Sequence, residues 1–582
     1  MKLSSRQARV RSRVLGGRSS RPPSPPREAA RVVKLRSLTP PSAERVIPDL
    51  LHACASISCD ERALQHALSF GFVAGSAGGA LRGALSHTAF AASSFMPEAL
   101  QDGLFLEELI SIAFAFSVQG RAAPLDRAQL RALFTRPPRE LADIEQRQAI
   151  LGELVEKPEL ARALERAYAQ IGALPELLDD EGTDARLDIT HWRLDVLRAI
   201  RDSIAALDVS FAEASSNLRR LFEFGEHVRA SAGYARLTEL LDFEGDAARA
   251  QLQIRLAADG KIRSLEIVSL RARTQSPFHV GPLRRLWRQL LAWVQGYRIG
   301  SGEVVERWLE NIFEGVREHV PTLLQLKGDL EFYLASLHFR SIAQVKGLPV
   351  CLPELLPSPA PHQKKVLDGL WNPLLLSEPR APVTTQVELP SFACTCITTG
   401  PNSGGKTRFL QAIAFSQLMG QAGSFVAAKR ALLKPVSGLF VSLGEAPHAD
   451  QKEGRLGMEL VRIRTLFEQA RAGSLVVLDE LCSGTNPSEG EEIIRMLLEL
   501  LHELEHEVHV TTHFLNFAQA LEREAGELGL YFLQVELDAT QHPTFRFIPG
   551  VATSSLAQQT AERLGVTRDQ LRRMIRRDEG PR

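Results

Sequence analysis

Apolar residues recur at helical spacing through the first two thirds of the chain. In "LDRAQLRALFTRPPRELADIEQRQAILGELVEKPELARALERAYAQI" (125–171) they fall every three or four positions, which gathers them on one helix face. Pro137 and Pro138 interrupt the run, so two helices are expected across them. A second helical run covers 304–345. Between the two, "AQLQIRLAADGKIRSLEIVSL" (250–270) switches to alternation, with Asp259-Gly260 between two apolar runs, and this predicts a β-hairpin. From about residue 371 the texture changes again. Short apolar strands alternate with helices: "FACTCITT" (392–399), "SGLFVSLGE" (437–445), "SLVVLDE" (474–480) and "EVHVTTH" (507–513). Strands apolar on both faces belong to a mainly parallel sheet covered by helices. The fold expected is multidomain: a long, mainly α-helical domain over 46–370 with its hairpin near 250–270, then an α/β P-loop domain over 371–582.

Composition adds limits. The chain has 582 residues, 44% hydrophobic and 24% charged, with zero formal net charge, so no overall field draws it to a polyanion. Attraction of that kind would fall to local basic segments. Residues 1–45 are rich in Arg, Ser and Pro and cannot bury enough apolar surface to order themselves; a passive tail and an electrostatic arm both remain open. Cys54, Cys59, Cys351, Cys394, Cys396 and Cys482 form no paired C-x-x-C knuckles, and reduced thiols in a cytoplasmic protein are expected. No run of eighteen apolar residues suggests a membrane span, and the basic N-terminus lacks the apolar core of a secretory signal.

The candidate chemistry lies in "TGPNSGGKT". Gly400, Pro401, Asn402, Ser403, Gly404, Gly405, Lys406 and Thr407 fit G-x-x-x-x-G-K-[ST], after a strand and before a helix. The glycines let backbone amides turn toward phosphates, and the helix N-terminus adds partial positive charge. Lys406 is expected to reach the outer phosphates of ATP and Thr407 to offer its hydroxyl to Mg²⁺. Asp479 and Glu480 close a buried strand at its C-terminal end, where ligands of open α/β sheets collect. Asp479 suits Mg²⁺; Glu480 suits the base for the attacking water. Thr512 and His513 end the third strand, and His513 is expected to contact the terminal phosphate. "HELEH" (502–506) matches H-E-x-x-H, which on one helix face would put His502 and His506 together for zinc. No third ligand is evident, and a His at a helix C-terminus is expected from the helix dipole alone.

"TGPNSGGKT", "LVVLDELCSGTNPSEG" (475–490) and "TTHF" (511–514) together resemble the ATPase domain of the MutS family. The family's D-E-x-x-x-G-T loop is matched by Asp479, Glu480, Gly484 and Thr485. "PGVATSSLAQQTAERLGVTRDQL" (549–571) is similar to its closing helical dimerisation element. "LFTRPPRELADIEQRQAILGELVE" (133–156) and "LEFYLASLHFRSIAQ" (330–344) resemble parts of its helical core. The resemblance implies a Mg²⁺-dependent ATPase, a homodimeric clamp on DNA, and a place in DNA repair or recombination control. It also implies that the clamp's DNA contacts lie in the basic segment around the hairpin, here Arg271, Arg273, Arg284, Arg285 and Arg288; a solvated helix face is the other reading of those residues.

Departures from the family pattern qualify this. Only a short segment precedes the helical core, so the mismatch-reading domains of classical members are expected to be missing. Phe105-Leu-Glu107 matches the letters of their Phe-x-Glu motif but falls in a helical stretch and is read as coincidence. The nuclease-like Smr domain of a second bacterial branch is expected to be absent as well. Gly454 stands where the signature facing the partner's nucleotide usually has Ser, and Ala381, Pro382 and Val383 stand where an aromatic would stack on adenine. Branched or non-canonical DNA, recognised by shape, is the target expected. The alternative is a nucleotide-gated module for structured RNA, a ribosome or a protein partner, with little hydrolysis.

Overall fold

The computed structural model describes residues 49–52, 61–74, 95–96, 101–123, 125–179, 189–242, 248–256, 262–272, 301–357, 363–443, 455–482, 486–524, 529–553 and 566–577. The basic N-terminal segment, Cys54, Cys59, Gly454, Gly484, Thr485, Arg273, Arg284, Arg285 and Arg288 lie outside them.

The helical reading holds across most of the first part. The proline pair separates helices Arg127–Thr135 and Leu141–Glu156, and helix Pro158–Asp179 follows. Asp126 caps the first of these by accepting the Gln129 N–H at 3.0 Å. The run expected over 304–345 forms two helices, Ser301–Glu314 and Val320–Val345, separated near Gly315. The second is buried along most of its length, and its buried polar side chains include Gln325, Asp329 and Glu331. Each needs partners. Glu331 accepts hydrogen bonds from Tyr168 Oη at 2.8 Å and from Lys327 Nζ. Asp329 lies 3.5 Å from His52 Nδ1, and His52 Nε2 meets Tyr333 Oη at 2.6 Å. Burial, with Asp49 nearby, pushes the Asp329 carboxyl up to about 6.

Strands interrupt this helical part where none is expected. Gln101–Asp102 (β1) joins the edge of the large sheet, and Ser117–Val118 (β2) pairs with Arg121–Ala122 (β3). The expected hairpin forms: Ala248–Leu256 (β4) runs antiparallel to Ile262–Ala272 (β5), pairing Ile254 with Leu265. Arg271 is on β5, opposite Arg249. The turn at Asp259-Gly260 is outside the described residues. Glu354–Leu355 (β6) and Lys365–Leu370 (β7) begin before residue 371, so strand structure starts earlier than the change in sequence texture. With Thr385–Leu389 (β8) and Arg430–Leu433 (β10) they form a four-stranded sheet, ordered β6-β10-β7-β8.

The large sheet holds the site. Thr395–Thr399 (β9), Leu439–Ser442 (β11), Leu475–Leu478 (β12), Glu507–Thr511 (β13), Leu530–Leu537 (β14) and Pro543–Pro549 (β15) join β1 in the order β1-β11-β12-β13-β9-β14-β15. All neighbours are parallel except β14 and β15. β9, β11, β12 and β13 are buried almost throughout, as a sheet covered on both faces requires. One face packs on helix Lys406–Gln421 and shares a core with the helical part; the other packs on helices Arg455–Gln469, Pro487–Glu503 and Leu515–Arg523. Helix Lys406–Gln421 is buried along nearly its whole length, so its glutamines bond to backbone: Gln411 Nε2 to Gly103 O at 2.6 Å, Gln417 Nε2 to Lys434 O at 2.9 Å. No helix among the described residues is long and apolar enough to cross a membrane. Burial pushes the Cys394 thiol up to about 12 and the Cys351 thiol up to about 11, which keeps both protonated and unreactive.

The zinc-like pattern does not form. The helix ends at Glu503, Glu505 has a left-handed φ of 53°, and His506 leaves the helix axis. Its Nδ1 accepts the Ser474 N–H at 3.3 Å, so His502 and His506 share no helix face. Burial pushes His506 down to about 4 from 6.5. Burial opposes ionisation of the neighbouring Glu507, but Lys365, at 2.5 Å, and His509, at 2.9 Å, outweigh it and hold the carboxyl at about 2. Both groups bind their protons less tightly in the folded chain. Their stabilisation is therefore present above the unfolded values of 6.5 and 4.5 and lost as pH falls toward 4 and 2. Melting temperatures measured from pH 7 to 3.5 are expected to fall in two stages. His506→Asn, which keeps an acceptor for Ser474, should shrink the first stage by on the order of 2 kcal/mol and leave the second.

Candidate functional site

The site forms where β9 and β12 reach the same edge of the parallel sheet. β9 ends at Thr399, and the chain turns through Gly400, with φ 140°, and Gly405, with φ 83°, into helix Lys406–Gln421. Only glycine adopts φ 140° readily. Space imposes the same choice: a Cβ at Gly400 would stand 2.6 Å from Val535 Cγ2, and one at Gly404 2.8 Å from it. The loop therefore lies with its backbone against β14, without side chains at those two positions.

Lys406 is buried, with 3% of its surface exposed. Its ammonium donates to Gly400 O at 3.0 Å, Pro401 O at 3.2 Å and Asn402 Oδ1 at 3.4 Å, and faces Glu480 Oε1 at 3.5 Å. These oxygens hold the charge inside the loop where the helix N-terminus also points. Thr407, one residue on, donates from Oγ1 to Asp479 Oδ2 at 2.6 Å. Lys406, Thr407, Asp479 and Glu480 thus come together although 72 residues separate Thr407 from Asp479.

β12 supplies the carboxylates. Asp479 N–H donates to Ser442 O at 2.9 Å, extending the β11–β12 ladder by one residue. Glu480 then has a left-handed φ of 46°, and Cys482 one of 60°. Two such non-glycine residues at a strand end mark strain held by the surrounding contacts. The Glu480 N–H donates to Thr511 Oγ1 at 2.8 Å, and the Cys482 N–H to Glu459 Oε2 at 2.9 Å. Thr511 also donates to Asp479 Oδ1. β13 ends at Thr511, one residue before the expected Thr512. His513 lies just past it, half-buried, its ring 4.1 Å from that of Phe514.

Beside the loop is a largely apolar cavity of about 460 Å³, and Gly405, Phe409, Trp371, Ala381, Pro382 and Val383 line it. Phe545 of β15 also lines it, half-exposed, with φ 61°. Its ring edge would be 3.2 Å from a Cβ on Gly405. Behind it, Phe547 and Phe409 stack at 4.0 Å. Ala381, Pro382 and Val383 offer no aromatic face, but Trp371 lines the cavity from before β9 and Phe545 lines it from β15, about 140 residues after the loop in the chain. The alternating aromatics of "TFRF" (544–547) were the only sequence signal for it. Phe105, by contrast, stands at the start of the helical turn Leu106–Leu109, exposed and with φ 53°.

Residues 396–569 match the family model for MutS domain V. Proteins named endonuclease MutS2 are similar over about half of the chain. The one from Thermomicrobium roseum is 32% identical over 311 residues, 51% of this chain and 37% of that protein. The one from Thermus thermophilus is 30% identical over 282 residues, 48% and 36%. The one from Streptococcus pyogenes is 30% identical over 259 residues, 43% and 31%. The match spans about a third of these relatives' own length.

Two left-handed glycines separate the effect of backbone conformation from that of crowding. Gly400→Ala meets both φ 140° and Val535, whereas Gly473→Ala, at φ 77°, meets nothing within 4 Å. In urea denaturation, Gly400→Ala is expected to cost about 2–4 kcal/mol and Gly473→Ala about 1 kcal/mol.

Proposed function

The chain is a MutS-family protein, and on that premise we propose that it is a Mg²⁺-dependent ATPase whose nucleotide state controls binding to DNA. The observation that carries the reading is the convergence of buried Lys406, the Thr407–Asp479 pair and Glu480 around one glycine loop. The residues suit nucleotide and metal. Gly400 to Gly405 leave room for backbone amides to face phosphate oxygens. Lys406 exchanges its loop carbonyls for phosphate oxygens. Thr407 and Asp479 offer two oxygens 2.6 Å apart to Mg²⁺, which when bound neutralises phosphate charge. Glu480 takes the proton of the water that attacks the terminal phosphorus as the bond to the ADP oxygen breaks. His513 senses the terminal phosphate from the end of β13. Phe545 presents a face to the base in the cavity that Val383 and Pro382 also line.

DNA contact falls to the hairpin of β4 and β5 and the basic segment after it. Arg271 is on β5, and Arg273, Arg284, Arg285 and Arg288 follow. Lys and Arg there would neutralise backbone phosphates without reading bases, which suits branched or other non-canonical DNA recognised by shape. A homodimer in the cytoplasm completes the reading. The cleavage in the relatives' names is not carried over, because the match covers so small a share of them.

Glu480→Gln is expected to lower the ATP turnover number at least a hundredfold and to leave the affinity for a non-hydrolysable ATP analogue within about threefold. Phe545→Ala should weaken that affinity about tenfold and change turnover at saturating ATP little, as loss of one stacking face does. Binding to labelled homoduplex, mismatched duplex, four-way junction and structured RNA, with and without ATP at two salt concentrations, tests the polyanion. A junction preference that ATP changes supports the reading. Absence of DNA binding at low salt, or a preference for RNA, overturns its DNA half.

A further inference from the structure

We propose that Thr511 is a positioning residue of the ATPase centre: its one hydroxyl orients the metal-binding carboxylate of Asp479 and fixes the backbone that aims Glu480. The proposal rests on the ATPase reading above. It is independent of His513, the residue to which the strand-end motif first points.

Thr511 is the last residue of β13, wholly buried, between β12 and β9. Its Oγ1 makes two bonds of opposite sense. It donates to Asp479 Oδ1 and accepts the Glu480 N–H at 2.8 Å. A hydroxyl has one proton and two lone pairs, so these bonds fix its orientation. The other Asp479 oxygen, Oδ2, takes the Thr407 hydroxyl at 2.6 Å. The carboxylate is thereby gripped by one hydroxyl from the phosphate-loop helix and another from β13. Thr407 and Asp479 would hold Mg²⁺, and the Thr511 bond to Oδ1 would keep the Asp479 carboxylate oriented for it.

The second bond acts on Glu480. Its φ of 46° is costly for a side chain with a Cβ, and the Thr511 hydroxyl holds the amide that this conformation turns inward. The Glu480 carboxylate stands 3.5 Å from Lys406 Nζ in that pose. Thr512, the next residue, does none of this: its N–H donates to Thr398 O at 3.2 Å and its Oγ1 accepts the Phe514 N–H at 3.1 Å. Thr511 reaches the centre only because β12 and β13 are parallel neighbours, Leu478 beside Val510, which brings the end of β13 level with Asp479.

The test compares Thr511→Val, which keeps the shape and removes the hydroxyl, with Thr511→Ser, which keeps the hydroxyl. Thr511→Val is expected to lower kcat about 10–100-fold, to leave KM and the affinity for a non-hydrolysable ATP analogue within about threefold, and to raise the Mg²⁺ concentration for half-maximal binding severalfold. Thr511→Ser should stay within about threefold of the parent in all of these. Melting temperatures identify any variant that fails to fold, and Thr511→Ser then carries the comparison through its Mg²⁺ dependence. The proposal is overturned if Thr511→Val keeps its kcat and Mg²⁺ dependence, or if Thr511→Ser is as impaired as Thr511→Val, since shape alone would then be at work. A parent that binds nucleotide without hydrolysing it overturns the ATPase reading but not the Mg²⁺ test of Thr511. A parent that binds no nucleotide overturns both.

Discussion

An ammonium with 3% of its surface exposed is the constraint around which the site is arranged. Lys406 cannot keep its charge there without oxygens on several sides, because an unpaired buried charge costs more than a fold of this size can spare. Two carbonyls and an amide oxygen of its own loop supply part of that, and Glu480 supplies the opposite charge at 3.5 Å. Each provision has a structural cause. The carbonyls turn inward because Gly400 and Gly405 take backbone angles closed to other residues. Glu480 is in reach because the chain leaves β12 in a left-handed step held by Thr511.

The same economy of contacts governs Asp479. It is two oxygens gripped by two hydroxyls from different elements, with its amide continuing the β11–β12 ladder. None of these elements is adjacent in the chain. The parallel order β11-β12-β13-β9 brings their C-terminal ends to one edge, which is why open parallel sheets place their chemistry there. The exposed parts of the site come from a different source: β15 is antiparallel to β14, and its Phe545 reaches round to Gly405.

The phosphate-loop helix also ties the site to the helical part of the chain. At its far end, Arg147 donates to Ala422 O at 3.1 Å, and the Ser336 and Ser424 hydroxyls meet at 2.9 Å. Gln421 Nε2 donates to Pro138 O at 3.2 Å, in the proline break itself. Arg147 stands over the Phe332 ring of helix Val320–Val345, and Gly423, at φ 87°, leaves space for its stem. The loop helix and that long buried helix are thus joined by direct contact through Arg147 and the Ser336–Ser424 pair.

Local chemistry was legible in the chain. The loop motif named Lys406 and Thr407, the end of an apolar strand named Asp479 and Glu480, and an Asp-Gly pair between alternating runs gave the hairpin of β4 and β5. Each is a pattern within a few residues, set by backbone sterics and by burial. What depended on distant contacts was not legible. His506 leaves its helix because Glu505 turns left-handed and Ser474 donates to its imidazole. β1 pairs with β11 from a stretch with no strand pattern, and β7 pairs with β8 and β10 ahead of the change in texture. Phe545 and Thr511 carry no motif, and only the placing of β15 beside the loop and of β13 beside β12 gives them a role. The sequence by itself determined which groups can do chemistry, through residue type and short-range spacing. The tertiary structure alone decided which hydroxyl orients them and which ring flanks them, because those relations arise from strand order and register across more than a hundred residues of chain.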